Sequence, residues 1–448
     1  MAENKKSRAP RSSGPRKPRP PQPGLEPRRA ALALVQAVRR DGRLLAELTD
    51  TEEGPLAVLS PPERARAQRL AAQALRHAQR IDKALSPFLE KAPPARVRMV
   101  LHLAVVELCE DRSAAHGVVN GWVTLVRAHP KTRHLAGLVN AVLRRASEEL
   151  APGWDSLPPS RLPDWLRKPF RKAYGGEAVA AMEAVFAAQP PLDLTPKDGD
   201  AAALAGALGG TALPTGSVRL AEAGQVSALP GYAEGQWWVQ DAAAAVPARV
   251  LAPAKGARVL DLCAAPGGKT QQMAAAGAEV TALDISPARM ARVAENLART
   301  GLAAQTVVAD AMDWAPEMPF DGILLDAPCT ATGTLRRHPD LPFAKTAAAT
   351  AELAALQAAM LDRALGWLAP GGRLVFCTCS LLPEEGEAQI AAALARHPGL
   401  VADPLDPAEF GLPAAAAVPG GLRLRPDFLK DQGGMDGFFI ARLHLAPL

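Results

Sequence analysis

Between about Pro27 and Leu150 the apolar residues recur at helical spacing, as in Leu32, Val35 and Val38 and again in Val97, Val100, Leu101, Ala104, Val105 and Leu108. No strand-like alternation interrupts them, so the pattern predicts an all-helical unit of six or so helices. Ser60-Pro61-Pro62-Glu63 reads as a helix start with proline in the first turn, and Ala92-Pro93-Pro94 separates the next helix from its predecessor. Pro152, Pro158, Pro159 and Pro163 then break the helical run. Trp165 to Gly175 mixes aromatic and basic residues on a predicted short helix. Two readings of it stay open: a nucleic-acid face, or core anchors beneath a solvated basic face. Pro191–Thr195 and Ser217–Leu220 look like strands of a small α+β unit.

From Gly235 onward strands and helices alternate, as in a doubly wound parallel sheet. Strands are predicted at about 258–263, 279–284, 305–309, 321–326 and 373–378, with a terminal strand over 437–443. Asp436-Gly437 suits a hairpin turn, which makes the last strand antiparallel to its neighbour. The expected division is therefore a tail over 1–26, a helical domain over 27–150, a connecting α+β domain over 151–235 and an α/β domain over 236–448, three-layered, with ligands at the C-terminal ends of its strands.

Composition adds little to this plan except at the N-terminus. With 448 residues and 48% hydrophobic content, each domain can bury a core. The first twenty residues carry seven Lys and Arg against Glu3 alone, so the formal +5 of the chain comes from a Pro- and Arg-rich tail and the rest sits near −1. Such a tail is expected to be disordered, and is either a polyanion-binding arm or a solubilising leader. Apolar runs stop well short of the roughly 18 residues of a membrane span, and the N-terminus lacks the apolar core of a secretory signal. A soluble, monomeric cytoplasmic protein is expected. Five cysteines without paired CxxC spacing argue for free thiols and against a structural metal site.

The candidate chemistry lies at the predicted strand ends. Asp261 to Thr270 reads as a strand, a small-residue turn and a helix start, where backbone N–H groups and the helix dipole can receive an anionic ligand group. Asp284 ends the next strand about twenty residues on, the spacing at which a carboxylate meets ribose hydroxyls. Asp310, the run Asp326-Ala327-Pro328-Cys329, and Cys377-Thr378-Cys379-Ser380 end the following strands. Any one such aspartate is commonly a helix cap; four carboxylates and two turn-borne cysteines on one sheet edge suggest a single site.

The motifs DLCAAPGGKT (261–270), DAPCTATGTLRRHPD (326–340) and FCTCSLLPEEGE (376–387) resemble the three main motifs of the S-adenosylmethionine-dependent RNA cytosine-5 methyltransferases. Trp238 to Asp241 and Gln357 to Leu361 also look like elements of that family. His116 to Val126 and His134 to Arg145, with a Val-Asn-Ala-Val-Leu-Arg run, resemble the last helices of the NusB family of RNA-binding domains. The combination is similar to the RsmB (Sun, Fmu) type, and the likeness runs from about residue 27 to the C-terminus. It implies a Rossmann-like methyltransferase domain, S-adenosyl-L-methionine as cofactor, and small-subunit ribosomal RNA as the methyl acceptor.

The chemistry of such a reaction can be stated from the base. Carbon 5 of cytosine is too weakly nucleophilic to take a methyl group from a sulfonium until carbon 6 has been attacked, and a thiolate can attack and later leave. A base must then remove the carbon-5 proton. The resemblance implies Cys379 as nucleophile, Cys329 as the residue that assists product release, and Asp326 beside both the cofactor's methyl end and the base. It implies that Cys263, Ala264, Ala265, Pro266, Gly267, Gly268 and Lys269 wrap the amino acid end of the cofactor, that Asp284 holds the ribose and that Asp310 meets adenine. Lys269 has an alternative role, neutralising the site's carboxylates or meeting RNA phosphate.

Cys109 and Cys377 read as small buried hydrophobes, and Asn120 and Asn140 as caps or cross-links between helices. Arg144 and Arg145, at a helix C-terminus, complement the dipole or contact RNA. Arg336, Arg337, His338 and Asp340 form a predicted loop that is either solvated or involved in substrate placement. The family's PC motif commonly continues Ser-Gly-Thr-Gly, and Ala331 stands at its first glycine, where a loop adjustment is expected. A different RNA substrate, or a noncatalytic RNA-binding role, are the competing functions.

Overall fold

The computed structural model describes residues 24–49, 53–222 and 224–446, so the expected basic tail lies almost wholly outside the described residues. The first helix begins at Leu25, two residues before the expected domain start. Helices Leu25–Asp41, Leu45–Thr49, Pro61–Arg76, Ala78–Leu85, Ala95–Val105, Ala115–Ala128 and Ala136–Arg145 pack around Leu34, Leu70, Val105, Trp122 and Leu143, all fully buried. The Glu63 carboxylate accepts from the backbone N–H of Ser60 at 3.0 Å, which closes the start of its helix as the Ser-Pro-Pro-Glu pattern predicts. In the core, Glu107 accepts from Arg28 and Trp122 at 2.7 Å and from Arg66 at 2.6 Å, tying four segments together through one buried carboxylate.

Asn120 is exposed and Asn140 half-buried, and neither side chain bonds another helix among the described residues, so the expected cross-links are not formed. Arg144 is exposed, whereas Arg145 pairs with Glu149 at 2.9 Å and covers Phe88.

The aromatic and basic stretch opens a helix of 24 residues, Asp164–Ala187, longer than predicted and broken at Gly175, whose φ of 82° lies outside the helical region. Its role is structural. Leu166 and Phe170 are fully buried against Val179 and Met182 of the same helix and against Leu335, Leu341, Leu381 and Leu382. Those last four residues belong to the segments that follow Cys329 and Cys379. Tyr174 adds a 2.5 Å hydrogen bond to the Leu381 carbonyl, and Arg167 pairs with Glu183 at 2.8 Å. Arg171 and Lys172 remain exposed.

A small antiparallel sheet follows, with strands β1 (Leu192–Pro196), β2 (Thr211–Ala212), β3 (Val218–Leu220) and β4 (Trp237–Val239) in the order β2-β3-β1-β4. Its fourth strand lies beyond residue 235, so the small sheet crosses the expected boundary and delivers its edge directly to the α/β domain.

The central sheet contains β5 (Arg258–Leu262), β6 (Glu279–Asp284), β7 (Gln305–Val308), β8 (Phe320–Asp326), β9 (Leu368–Thr378), β10 (Leu400–Ala402), β11 (Ala417–Val418), β12 (Gly421–Leu424) and β13 (Phe438–Leu445). The order is β11-β12-β13-β9-β8-β5-β6-β7, with β10 beside β13. Strands β5 to β9 are mutually parallel, which sets Asp261, Asp284, Asp310, Asp326 and Cys379 at or just past the same ends of five strands. Strands β10 to β12 were not legible as strands, being short and interrupted by Pro and Gly.

Strand β13 is antiparallel to β9, as expected, but Asp436-Gly437 closes no hairpin. Residues 425–437 connect β12 to β13, Asp436 is fully buried, and a Cβ on Gly437 would lie 2.6 Å from Leu381. Packing, not turn geometry, requires that glycine. No described helix is long and apolar enough to cross a membrane.

Phe170→Ala removes the largest fully buried side chain of the contact between the connecting helix and the cysteine-bearing loops. It is expected to cost about 3–5 kcal/mol in urea unfolding; a cost below about 1 kcal/mol would show that the helix does not brace those loops.

Candidate active site

Strand β5 ends one residue after Asp261 and the chain enters the turn 263–267 before the helix Gly268–Ala275. Cys263 adopts φ 61° and Gly267 φ 97°. A Cβ at Gly267 would also stand 3.1 Å from Val293, so both backbone angle and packing call for glycine there. Asp284 fixes the turn from beneath, accepting from the Ala265 N–H at 3.2 Å and from Ser286 N–H at 3.0 Å, with Arg289 at 3.3 Å.

Asp261 is fully buried. One of its oxygens accepts from the Thr270 hydroxyl at 2.5 Å, and the other has no partner among the described residues. Burial pushes its pKa up to about 7, against the opposing influence of the Thr270 bond and Lys269. Asp310 is exposed and closes a local turn, accepting from Met312 N–H at 2.8 Å.

The two cysteine loops are joined by a dense set of bonds. Gly333 N–H donates to the Cys379 carbonyl at 2.8 Å, and Leu381 N–H donates to the Thr332 hydroxyl at 3.0 Å. Ser380 Oγ lies 3.1 Å from Thr332 Oγ1 and 3.3 Å from Thr330 Oγ1. Glu385, fully buried, accepts from Thr330 N–H at 2.9 Å, from the Thr330 hydroxyl and from Gln357 at 3.1 Å. The outcome is a Cys329 Sγ to Cys379 Sγ separation of 3.5 Å. The bond to Cys379, and burial after it, raise the Cys329 pKa well above the usual thiol value.

Lys269 binds Asp326 at 2.8 Å, and the other oxygen of Asp326 lies 3.6 Å from the Cys377 sulfur. Cys377 is thus buried as expected but touches the site's carboxylate, and burial raises its pKa well above the usual value. Cys109 is buried in the helical domain, its pKa pushed up to about 12 by burial.

Arg336 is also buried, between Asp241, Asp436 at 3.0 Å and Asp193 at 3.9 Å, and Asp193 is in turn held by Arg219 at 2.7 Å. Arg337 shares Asp436 at 2.7 Å, and Asp340 accepts from Leu45 N–H at 2.9 Å. A solvated loop is therefore the wrong reading for Arg336 and Asp340.

One cavity of about 380 Å³ unites Asp261, Ala264, Ala265, Pro266, Gly268, Lys269, Asp326 and Cys379, with Arg337 and Phe438. Gly267, Asp284 and Cys329 are not among the residues that line it. Cys263 packs instead toward Leu260 and Leu262, its pKa raised to about 12 by burial, and Asp310 stands outside the cavity.

Comparison with known proteins decides the family. Residues 248–444 match the model of the 16S rRNA methyltransferase RsmB/F family, and residues 25–148 match the NusB family. The chain is 39% identical to ribosomal RNA small subunit methyltransferase B of Pseudomonas putida, over 94% of this chain and 98% of that one. With the protein of the same name from Xanthomonas campestris it shares 37% identity over 94% and 97%. This chain belongs to the RsmB/F family. The crystal structure of PH0851 has the same fold, with a TM-score of 0.70, 23% identity and coverage of 93% of this chain and 98% of that one.

RsmB/F enzymes are S-adenosylmethionine-dependent, and the cavity fits that cofactor. The cofactor carries a sulfonium and an ammonium, and the cavity offers a buried carboxylate oxygen at Asp261 with no partner of its own. The helix start at Gly268 and the turn before it provide a backbone cradle. Asp284 uses one oxygen on the turn, at Ala265, and the other on Ser286, so any ribose contact there is made by a residue that also shapes the cradle.

Glu385 and Asp436 have no role in the family likeness. Glu385 stands inside the 376–387 motif, whereas the local pattern at Asp436 indicates only a turn. Ala331 stands where the family's motif commonly has glycine. Ala331 takes the left-handed conformation, φ 57°.

Ala331→Gly is expected to raise stability by up to about 1 kcal/mol in urea unfolding without loss of activity, because a left-handed residue with a Cβ costs about 1–2 kcal/mol and glycine's extra unfolded-state entropy takes back part of the gain. A loss of stability would contradict the strain. The raised pKa of Asp261 means that the folded state holds its proton more tightly than the unfolded chain. The stability this contributes is present below about pH 4 and is lost as pH rises through about 7. Asp261→Asn should therefore gain on the wild type as urea titrations move from pH 5 to pH 8; a pH-independent difference would refute the assignment.

Proposed function

We propose that this chain methylates carbon 5 of a cytosine in small-subunit ribosomal RNA through a transient covalent bond between Cys379 and carbon 6 of the base. The single observation that supports it most is the 3.5 Å thiol pair with only Cys379 on the cavity. S-adenosylmethionine supplies the electrophilic methyl group. Cys379, as thiolate, adds to carbon 6, and the displaced ring electrons make carbon 5 nucleophilic. Asp326, held at 2.8 Å by Lys269, is positioned on the cavity wall to accept from the amidine edge of the base and orient it.

Loss of the carbon-5 proton to a base then reforms the ring double bond as the bond between carbon 6 and sulfur breaks. Cys329 serves this last step. Its sulfur lies 3.5 Å from that of Cys379, within reach to donate a hydrogen bond to the departing sulfur, which leaves as a thiolate.

The NusB-like bundle supports RNA placement, since it contacts the loop that carries Cys329 through Asp340 and through Arg76, which donates to the Arg336 carbonyl at 2.8 Å. Five free cysteines, two of them adjacent, favour a reducing compartment and support a cytoplasmic location.

Transfer of labelled methyl groups from S-adenosylmethionine to unmethylated small-subunit ribosomal RNA tests the proposal. Cys379→Ala is expected to lose at least about ten-thousand-fold in rate. Cys329→Ala should accumulate a protein–RNA adduct stable to denaturing gels. Methylation of transfer RNA or large-subunit RNA in preference, or of no RNA, would overturn it, as would a label mapping to any atom other than carbon 5.

A further inference from the structure

The catalytic cavity extends beyond the groups that the reaction uses. Its far wall is formed by Tyr232 and Val239 of the connecting segment and by Asn296 and Arg299, one turn apart on the helix Pro287–Thr300. Gly235 presses the Tyr232 loop onto the end of that helix: a Cβ there would fall 2.2 Å from the Arg299 carbonyl oxygen. The wall is thus built in advance of any ligand.

Arg299 is held but not neutralised. Its Nη1 donates to the carbonyls of Tyr232 at 2.8 Å and Trp237 at 3.1 Å, and its guanidinium lies over the Tyr232 ring at 4.3 Å. It pairs with no carboxylate among the described residues, and its buried Nε has no acceptor. Lys269 and Arg337, the other cations of the cavity, are already paired with Asp326 and Asp436. Asn296, which also lines the cavity, directs its amide nitrogen to the Pro266 carbonyl at 3.1 Å, and its side-chain oxygen has no donor among the described residues. A rigidly held, uncompensated guanidinium on a cavity wall selects an oxyanion.

We propose that Arg299 is a phosphate-binding residue for the RNA strand, gripping a backbone phosphate beside the target cytosine while the base enters the Cys379 end of the same cavity. This rests on the RNA cytosine reading above and names a substrate contact of that site. A single strand with one base drawn into a pocket must carry its adjoining phosphates past the pocket wall, and this is the wall that offers a free cation. The cofactor's own carboxylate is the other oxyanion that could reach it, and the two are separable by experiment.

Binding of unmethylated small-subunit ribosomal RNA is measured as a function of salt, and binding of S-adenosylmethionine by calorimetry, for the wild type, Arg299→Gln, Arg299→Lys and Val239→Glu. Arg299→Gln should weaken RNA about tenfold, raise KM for RNA more than it lowers kcat, and flatten the salt slope by about 0.7–0.9, the contribution of one phosphate. The affinity for S-adenosylmethionine should stay within twofold, and Arg299→Lys should restore much of the RNA affinity. Val239 is 50% exposed at the sheet edge, so Val239→Glu sets a carboxylate on the same wall without removing a buried contact, and it should weaken RNA in the same direction. Weaker cofactor binding with RNA binding intact would assign Arg299 to the cofactor and overturn the proposal. Wild-type RNA affinity and slope in Val239→Glu together with either a wild-type Arg299→Gln or one that fails to fold would leave Arg299 a brace and overturn it equally. Wild-type methyl transfer, run in parallel, separates failure of this contact from failure of the RNA reading itself.

Discussion

Two loops from different strands approach so closely around Gly333 that no side chain fits between them. A Cβ there would lie 2.0 Å from the Gly437 carbonyl oxygen and 2.8 Å from that of Cys379. The backbone bonds from Gly333 to Cys379 and from Gly437 to Gly333, each 2.8 Å, are possible only because of that contact. Everything chemical in the site follows from it: the thiols meet at 3.5 Å, Ser380 reaches the two threonines of the opposite loop, and Glu385 closes the far side. The left-handed Ala331 is tolerated because these surrounding bonds over-determine the loop.

The same loops are gripped from outside by each of the other units. The connecting helix places Phe170 and Leu166 against Leu335 and Leu381, and the helical bundle reaches Asp340 and the Arg336 carbonyl. The small sheet enters through Asp193 and Asp241, which share the buried cations Arg219 and Arg336 with Asp436 from the C-terminal segment. Burying so many charges contributes little net stability, because desolvation offsets much of the attraction. Breaking any one pair leaves an uncompensated charge in the interior, so the network disfavours other arrangements of the units. The helical bundle, the connecting helix and the small sheet are in this way mechanically continuous with the loops that carry Cys329 and Cys379.

Chemically identical thiols stand in different surroundings. Burial raises the pKa of Cys109 and Cys377, the bond to Cys379 and then burial raise that of Cys329, and of the five only Cys379 lines the cavity. Charge is distributed by the same logic. Lys269 is matched to Asp326, Arg337 to Asp436, and the unmatched groups are Asp261 at the cofactor turn and Arg299 at the far wall.

Much of this was legible in the chain because local rules govern it. Helical periodicity gave the bundle, Ser60 and Glu63 its cap, alternating strands and helices the doubly wound sheet, and the ends of parallel strands fixed which residues share an edge. The motif residues from Asp261 to Lys269, and Asp326, Cys329 and Cys379, could be named from sequence pattern and family likeness. Contacts between segments distant in the chain could not. Asp436-Gly437 has the composition of a turn, yet Asp436 neutralises two arginines a hundred residues away and Gly437 is small because Leu381 and Gly333 lie against it. Phe170 reads equally well as an RNA-facing aromatic until Leu335 and Leu381 are seen to cover it. Short-range pattern specifies which groups a segment carries; only the packing of one segment on another decides which of those groups are left without a partner, and those are the groups available for chemistry.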